Sequence, residues 1–196
     1  MLLFISSKVT LILFNILSSN PDKKIRIVNE EGRKVEEGQI GTIEIKGENV
    51  FKGYWGMKEK TKESFKDDGY FITGDLAKKD ENGYFTIVGR DKDMIISGGL
   101  NVYPKEIEDV INGLPNITES AVFGVQHDDF GEAVVAAVVT TDDKKDGSEI
   151  LDYTKDKIAK YKQPKKIIFM SNLPRNSMGK VQKNKLRENN KSLFKS

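Results

Sequence analysis

The 196-residue sequence predicts an α+β protein, in which a small antiparallel β-barrel-like unit precedes a compact α+β unit. Two observations support this fold class. Short stretches of alternating apolar and polar residues, separated by turn sequences, occupy residues 21–91. From residue 92 to residue 196, helical and strand patterns alternate instead. We therefore place the domain boundary within residues 89–93.

The strands of the first unit are indicated by a side-chain period of two. Residues 24–28 (KIRIV) alternate and are followed by the turn sequence NEEG. Residues 41–47 alternate between two glycines, and residues 84–88 alternate after the turn sequence DENG. Short strands joined by such turns are typical of small antiparallel barrels.

The second unit begins with a predicted helix. Pro104 suits the first position of a helix, because its missing N–H would be unpaired there in any case. The apolar stripe of this helix consists of Ile107, Val110 and Ile111. Ser148 is placed to cap a later helix. The inner face of that later helix is predicted to carry Ile150, Leu151, Ile158 and Tyr161. Three further apolar stretches are predicted as strands: residues 121–125, 133–140 and 165–170.

The composition excludes several classes of site. The chain has no Cys and one His, His127, which we interpret as structural. Disulfides, thiolate nucleophiles and Cys-based metal sites are therefore excluded, and no metal ligands are predicted. The net charge of +2 does not favour nucleic acid or an anionic membrane as a partner. The composition fits a cytoplasmic protein.

Residues 1–20 form an atypical apolar N-terminus. Lys8 is the only charge in residues 1–17. A signal peptide is one interpretation, but no basic residues precede the apolar run and no small-residue cleavage site follows it. A membrane span is another, but the run is short and interrupted by polar residues. We favour a non-native start left by a truncated or shifted reading frame.

Two residues of the first unit are candidates for nucleotide binding. Asp75 follows Thr-Gly at the end of a predicted strand, where a carboxylate can bind the vicinal hydroxyls of a ribose. Arg90 carries a planar guanidinium that can bind a phosphate or ribose oxygen. Taken alone, Asp75 is more typical of a turn and Arg90 of a solvated charge.

Two segments of the second unit are further candidates. Ser97, Gly98 and Gly99 permit a ligand to lie close to the backbone, although a glycine hairpin is the commoner meaning of such a sequence. Lys180 follows a glycine and can stabilise negative charge that develops on a carboxylate and a phosphate. Taken alone, it is one of many lysines, and the basic residues 180–196 are predicted to form a loosely helical, solvated face.

Five motifs occur in the order in which one known family carries them. They are GTIEIKGENVFKGYW (residues 41–55), YFITGD (70–75), GRDKDMIISGG (89–99), YKQPK (161–165) and LPRNSMGK (173–180). Over residues 25–187 the chain resembles the adenylate-forming superfamily of acyl-CoA synthetases, peptide-synthetase adenylation domains and luciferases. Within it, residues 99–108 and 173–184 look most similar to malonyl-CoA synthetases.

The resemblance implies an acyl-CoA synthetase that acts on ATP, CoA and a small carboxylic acid. Residues 21–91 would end the large AMP-binding domain, and residues 92–196 would form the C-terminal lid domain. Tyr54 and Trp55 are interpreted as packing residues of the barrel. The implied site consists of Lys180 in catalysis, Asp75 and Arg90 on the nucleotide, Lys92 as the hinge, and Ser97, Gly98 and Gly99 on CoA.

Several parts of the family's site have no counterpart before Asp75. These are the phosphate-binding loop, the aromatic motif that stacks on adenine, the Mg²⁺-binding Glu and the acyl pocket. We therefore expect the chain to be incomplete alone, with Mg²⁺ bound by the missing half. One alternative is a non-catalytic module that docks on a separate N-terminal adenylation chain. Another is a small protein that binds nucleic acid through its basic tail, which would require salt-sensitive retention.

Overall fold

Residues 24–142 and 146–195 are described by a computed structural model. The chain divides into two units, Met1–Asp91 and Lys92–Ser196. Both contain antiparallel strands, and helices are few, so the predicted α+β class is confirmed. The interpretations of residues 1–20 lie outside the described residues. No helix in the described ranges is both long and apolar enough to cross a membrane.

The first unit is a four-stranded antiparallel sheet. Its elements are β1 (Lys24–Val28), β2 (Ile40–Lys46), α1 (Lys58–Ser64), β3 (Phe71–Lys79) and β4 (Phe85–Arg90). The strands lie in chain order, and no pairing joins β1 to β4 within the described residues, so the sheet is open. The three predicted strands are all present. β3 includes the Thr-Gly-Asp segment, which therefore lies inside a strand and not in a turn at its end.

A buried carboxylate ties the first two strands to the connection that precedes β3. Glu44 is 1% exposed and accepts a hydrogen bond from Arg26 Nε at 2.6 Å. Arg26 also donates to Asp68 Oδ2 at 2.6 Å and lies 3.8 Å from the ring centroid of Tyr70. The hydrogen bond from Arg26 favours the charged form of Asp68, so the pKa of Asp68 is lowered. Loss of Arg26 would leave a buried charge without its main partner, which is strongly destabilising.

The second unit is built around one central strand. Its elements are β5 (Ile95–Ser97), β6 (Leu100–Val102), α2 (Pro104–Ile111), β7 (Ile117–His127), β8 (Gly131–Thr140), α3 (Gly147–Lys155), β9 (Lys166–Phe169) and α4 (Lys183–Asn189). β8 pairs with β7 along one edge. On its other edge it pairs antiparallel with the end of β5 and parallel with β9. The helix at Pro104 and the strands predicted within β7, β8 and β9 are confirmed.

Both faces of the β7–β8 pair are buried. Val122 and Val134 belong to a core that Ile107 of α2 and Ile150 of α3 complete. On the opposite face a second core contains Phe123, Val135, Ala137, Leu173 and Leu186. Because successive side chains of a strand point to opposite faces, each strand supplies both cores. This explains the nearly continuous apolar sequence of residues 133–139.

The predicted limits of the later helix were wrong. Its N-cap is Asp146, whose carboxylate accepts a hydrogen bond from the Ser148 N–H at 2.9 Å. Both are good capping residues, and the sequence alone did not distinguish them. The helix ends at Lys155, so the buried Ile158 lies beyond it. Tyr161 is exposed and does not lie on the inner face.

The basic C-terminal segment is not a solvated face. Leu186 of α4 is fully buried, and Leu193 and Phe194 pack against the second core. Two of its cations form ion pairs with residues outside the segment, Lys183 with Glu108 at 2.6 Å and Arg187 with Asp93 at 3.0 Å. The segment therefore completes the hydrophobic core of the second unit.

Replacing Leu186 with Ala tests this docking. Loss of a fully buried leucine creates a cavity, so we expect the free energy of unfolding to fall by about 2–5 kcal/mol. Leu100→Ala is the matched control, because Leu100 is half exposed and its loss should cost about 0.5 kcal/mol or less. Urea unfolding followed by circular dichroism measures both. Equal losses for the two variants would contradict the docking of α4.

Candidate functional site

The two predicted nucleotide-binding residues meet across neighbouring strands. Asp75 on β3 is the register partner of Arg90 on β4. Arg90 Nε lies 2.7 Å from Asp75 Oδ1, and the two side chains are 47% and 18% exposed. The guanidinium fixes the carboxylate from one side, and part of each group still faces solvent. This arrangement leaves the pair accessible to a polar ligand.

A β-bulge presents Asp75. Between the register pairs Thr42–Leu76 and Glu44–Ile72, three residues of β3 oppose the single residue Ile43. The Thr73 hydroxyl occupies this irregularity, donating to Ile43 O at 2.9 Å and accepting from the Asp75 N–H at 3.0 Å. Gly74 has φ +70°, a conformation that L-residues rarely adopt. Thr-Gly-Asp is thus the sequence of a bulge that redirects one side chain.

Lys180 lies on a loop held by a network of side-chain hydrogen bonds. The Asn176 side chain accepts a hydrogen bond from the Lys180 N–H at 2.9 Å, and Gly179 between them has φ +77°. Arg175 donates to Gly179 O at 2.7 Å and forms an ion pair with Glu119 of β7. The loop is therefore anchored to the edge of the sheet, and the backbone at Lys180 is fixed.

The Gly-Gly segment forms the tight turn between β5 and β6. Ser97 pairs with Leu100, and the two central residues Gly98 and Gly99 have φ of +58° and +78°, as a type I′ turn requires. Apart from the chain neighbours of each glycine, no atom of residues 24–142 and 146–195 lies within 4 Å of a Cβ added at Gly98 or Gly99, which leaves the outer side of the turn open. Ser97 itself is buried, so the exposed part of the turn is glycine backbone.

Comparison with known proteins identifies the family. The family model of the AMP-binding enzyme C-terminal domain matches residues 106–180. The chain is 41% identical over 169 residues to the indoleacetate–CoA ligase of Aromatoleum aromaticum, which covers 86% of this chain and 33% of that protein. A solved structure, ATP-bound MatB from Rhodopseudomonas palustris, matches with a TM-score of 0.82 and 54% identity, covering 89% of this chain and 35% of that one. The chain belongs to the adenylate-forming (AMP-binding) superfamily.

The chain spans about a third of the length of the superfamily relatives it matches. An ATP-bound chimera that contains part of MatB matches equally well, with a TM-score of 0.82 and 54% identity over 89% of this chain and 35% of that one. That fusion protein is itself an ATP-bound structure. This makes fusion proteins a practical way to test the residues of the present chain.

Two further residues considered in the sequence analysis, Lys92 and His127, both lie in the second unit. Lys92 is exposed, lies in the 3₁₀ turn Asp91–Asp93 and is the first residue of the second unit. His127 ends β7, and its ring lies 4.7 Å from Phe130 and 5.1 Å from Phe194, measured between centroids. The Asp129 N–H donates to His127 Nδ1 at 3.1 Å. These contacts describe a packing role for His127.

The predicted packing role of Trp55 was wrong. Trp55 is 100% exposed, and the nearby Met57 and Phe51 are 50% and 39% exposed. We call these three residues the Trp55 patch. Tyr54 does pack, with its ring centroid 5.0 Å from that of Phe51. The sequence alone does not show whether an apolar residue such as Trp55, next to packed aromatic residues, is itself buried.

Two acidic residues of α2 were missed by sequence reasoning. Glu108 accepts from the Val122 N–H at 2.8 Å and lies 2.6 Å from Lys183 Nζ. It thereby satisfies a backbone donor on the free edge of β7. Glu106 accepts from Lys162 Nζ at 2.8 Å with both oxygens. Burial lowers the pKa of Lys162, but the hydrogen bond and charge of Glu106 outweigh this effect, so the net pKa is raised.

Thr73→Val tests the bulge that presents Asp75. Valine has nearly the same shape but cannot donate to Ile43 O or accept from the Asp75 N–H, so two partly buried backbone groups lose their partner. We expect the free energy of unfolding to fall by about 1–3 kcal/mol. Thr73→Ser keeps the hydroxyl and should retain most of the stability. If urea unfolding gives valine the stability of wild type, the hydroxyl does not support the bulge.

Proposed function

We propose that this chain is the C-terminal part of an ATP-dependent acyl-CoA synthetase. The reaction converts a carboxylate, ATP and CoA into acyl-CoA, AMP and pyrophosphate. The observation that carries the proposal is the Asp75–Arg90 pair, a partly exposed carboxylate held at 2.7 Å by a guanidinium on the adjacent strand. This pair has the chemistry that holds ribose hydroxyls. Malonate is proposed as the acid, on the resemblance of residues 99–108 and 173–184 to malonyl-CoA synthetases.

In the first half-reaction, the substrate carboxylate attacks the α-phosphorus of ATP and pyrophosphate leaves. Asp75 accepts hydrogen bonds from the ribose hydroxyls, and Arg90 binds the same nucleotide. Lys180 places its ammonium where negative charge develops on the carboxylate and phosphate oxygens. The backbone of Lys180 is held by Asn176. Rotation of the Lys180 side chain, together with movement of the second unit, therefore brings its ammonium to the reacting groups.

In the second half-reaction, the CoA sulfur attacks the acyl carbonyl and AMP leaves. The open outer side of the Gly98–Gly99 turn offers backbone groups to the pantetheine chain. Lys92 is proposed as the hinge between the two half-reactions. Mg²⁺ is proposed to bind in the N-terminal region, because the family's Mg²⁺-binding Glu has no counterpart before Asp75 in this sequence. No step within this chain is routed through the metal.

We further propose that the chain needs an N-terminal adenylation region for activity. The chain spans about a third of its relatives, and no counterpart of the phosphate-binding loop precedes Asp75. Positioning of the reactants accounts for much of the rate of such reactions, so loss of half of the positioning groups should abolish turnover.

Substitution of Lys180 tests the catalytic assignment. Residues 24–196 would be fused to the N-terminal region of MatB and assayed with Mg-ATP, malonate and CoA. Lys180→Ala should lower the rate of pyrophosphate release about 10²–10³-fold, as expected for loss of one group that stabilises developing charge. Lys185→Ala, which removes an exposed lysine of α4, is the matched control and should stay within about twofold of wild type.

The 196-residue chain alone, under the same conditions, should form neither AMP nor malonyl-CoA. Product from this chain, lost in its Lys180→Ala variant, would refute the need for an N-terminal region. An unchanged rate for Lys180→Ala in an active fusion would remove Lys180 from the catalytic machinery.

A second candidate function is favoured by the Trp55 patch. In it, the chain is a non-catalytic module that docks on a separate N-terminal adenylation chain. Exposed apolar residues that lie close together in the sequence, as these three do, are a typical feature of a protein interaction site, and Trp is enriched among binding hot spots. The proposed partner is the type of region that forms the other two thirds of the relatives.

Docking can be followed at Trp55 itself, because it is the only Trp in the chain. With 5-fluorotryptophan incorporated, addition of the unlabelled, folded N-terminal region of MatB should shift the single ¹⁹F resonance. Trp55→Ser should weaken the complex about 10-fold or more in calorimetry, as expected for a central aromatic contact. Tyr84→Ser, at a half-exposed aromatic residue in the β3–β4 turn, should leave the affinity unchanged.

Three results would contradict docking through this patch. One is an unshifted resonance in the presence of the folded MatB region. The second is a shift that appears without partner as the chain is concentrated, which would indicate self-association. The third is a shift caused by anionic lipid vesicles and not by the MatB region.

A further inference from the structure

The first turn-proximal residues of β8 include an acidic residue that the proposed reaction does not use. Glu132, the second residue of β8, reaches across to β5 and accepts a hydrogen bond from the Ile96 N–H at 2.9 Å. Ile96 immediately precedes Ser97, the last residue before the Gly98–Gly99 turn. A side chain from one strand is therefore bonded to the backbone of the hairpin proposed to meet CoA.

The tip of this hairpin has few other attachments. The base is held in the core by Ile95 and Val102, both fully buried. Nearer the turn, β5 pairs with β8 at one residue pair, Ser97–Gly131. One backbone bond follows, from the Gly98 N–H to Phe130 O at 2.8 Å. The Glu132 hydrogen bond lies between the base and the tip, where it restrains the position of the turn.

Gly124 provides the space that Glu132 occupies. A Cβ at Gly124 would lie 2.6 Å from Glu132 Oε1 and 2.8 Å from its Cδ, closer than any real contact. Gly124 lies in the middle of β7 and does not have a positive φ, so its backbone conformation does not require glycine. Glycine weakens a strand interior, and a common reason for its presence is close approach of another group. Here the nearest group is the Glu132 carboxylate, and the next is the Ile95 Cγ2 methyl at 3.0 Å.

We propose that Glu132 is a positioning residue for the thioester-forming half-reaction. It holds the Gly98–Gly99 turn where its backbone can bind the amide groups of the pantetheine chain of CoA, between the half-exposed side chains of Ile96 and Leu100. The inference rests on the proposed function. Lys180 is held by other contacts in the same unit, so adenylation does not depend on Glu132.

The test uses the fusion of the MatB N-terminal region to residues 24–196. Glu132→Ala should lower kcat/KM for CoA about 10- to 100-fold, the cost of a displacement of about 1 Å. Pyrophosphate release, measured separately, should stay within about twofold of wild type. Glu132→Gln retains an oxygen that accepts the Ile96 N–H, so it should restore most of the CoA reaction. A role of charge alone predicts no such rescue.

Gly124→Ala provides an independent approach to the same contact. Its new Cβ should displace the Glu132 carboxylate and reproduce the CoA defect of Glu132→Ala. In the double variant Gly124→Ala/Glu132→Ala the two defects in the CoA reaction should be far from additive, because both remove the hydrogen bond from Glu132 to Ile96. In the 196-residue chain itself, the Ile96 amide should exchange faster with solvent in either single Ala variant and remain protected in Glu132→Gln.

The inference is overturned if Glu132→Ala slows both half-reactions equally, if Glu132→Gln is as defective as Glu132→Ala, or if Ile96 protection does not change. It is also overturned if an active fusion tolerates Glu132→Ala in the CoA reaction, while the proposed function stands. A wild-type fusion that is inactive in both half-reactions overturns the proposed function, and this inference with it.

Discussion

The second unit depends on the burial of both faces of β8. This strand pairs with β7, β5 and β9, and its side chains enter two separate hydrophobic cores. Helices α2 and α3 complete one core, and α4 with the C-terminal residues completes the other. Because β8 contributes to both cores, its position determines where the Gly98–Gly99 turn and the Lys180 loop are attached.

Three acidic residues link the segments of proposed function to this framework. Glu132 fixes the β5–β6 hairpin, Glu119 forms an ion pair with Arg175 beside the Lys180 loop, and Glu108 joins Lys183 to the edge of β7. Hydrogen bonds to a charged group are stronger than neutral ones, and the Glu119 and Glu108 side chains remain 27% and 13% exposed. Each loop can therefore be held in one position without adding to the core.

The first unit contains two features that are locally unfavourable, a break in strand pairing and an exposed tryptophan. At Thr73-Gly74-Asp75 the sheet loses ladder pairing, and a hydroxyl replaces the lost partners while Asp75 is turned toward Arg90. At the Trp55 patch nothing in the described residues covers a fully exposed indole. The first feature supports a ligand site that this chain builds, and the second supports a contact that another polypeptide completes.

The sequence by itself determined the α+β class, the strands around residues 24–28 and 133–140, the helix at Pro104 and the family, because local periodicity, turn chemistry and motif order need no knowledge of distant partners. It also named Asp75 and Arg90, but only the tertiary structure placed them 2.7 Å apart, since a bulge depends on the registers of two neighbouring strands. The burial of Leu186 and the exposure of Trp55 likewise depend on which surfaces pack together in the fold. Hydrophobicity favours burial of a side chain, but it does not identify the residues that would cover it. For the same reason Glu132 had no sequence signal, because its hydrogen bond joins residues 36 positions apart.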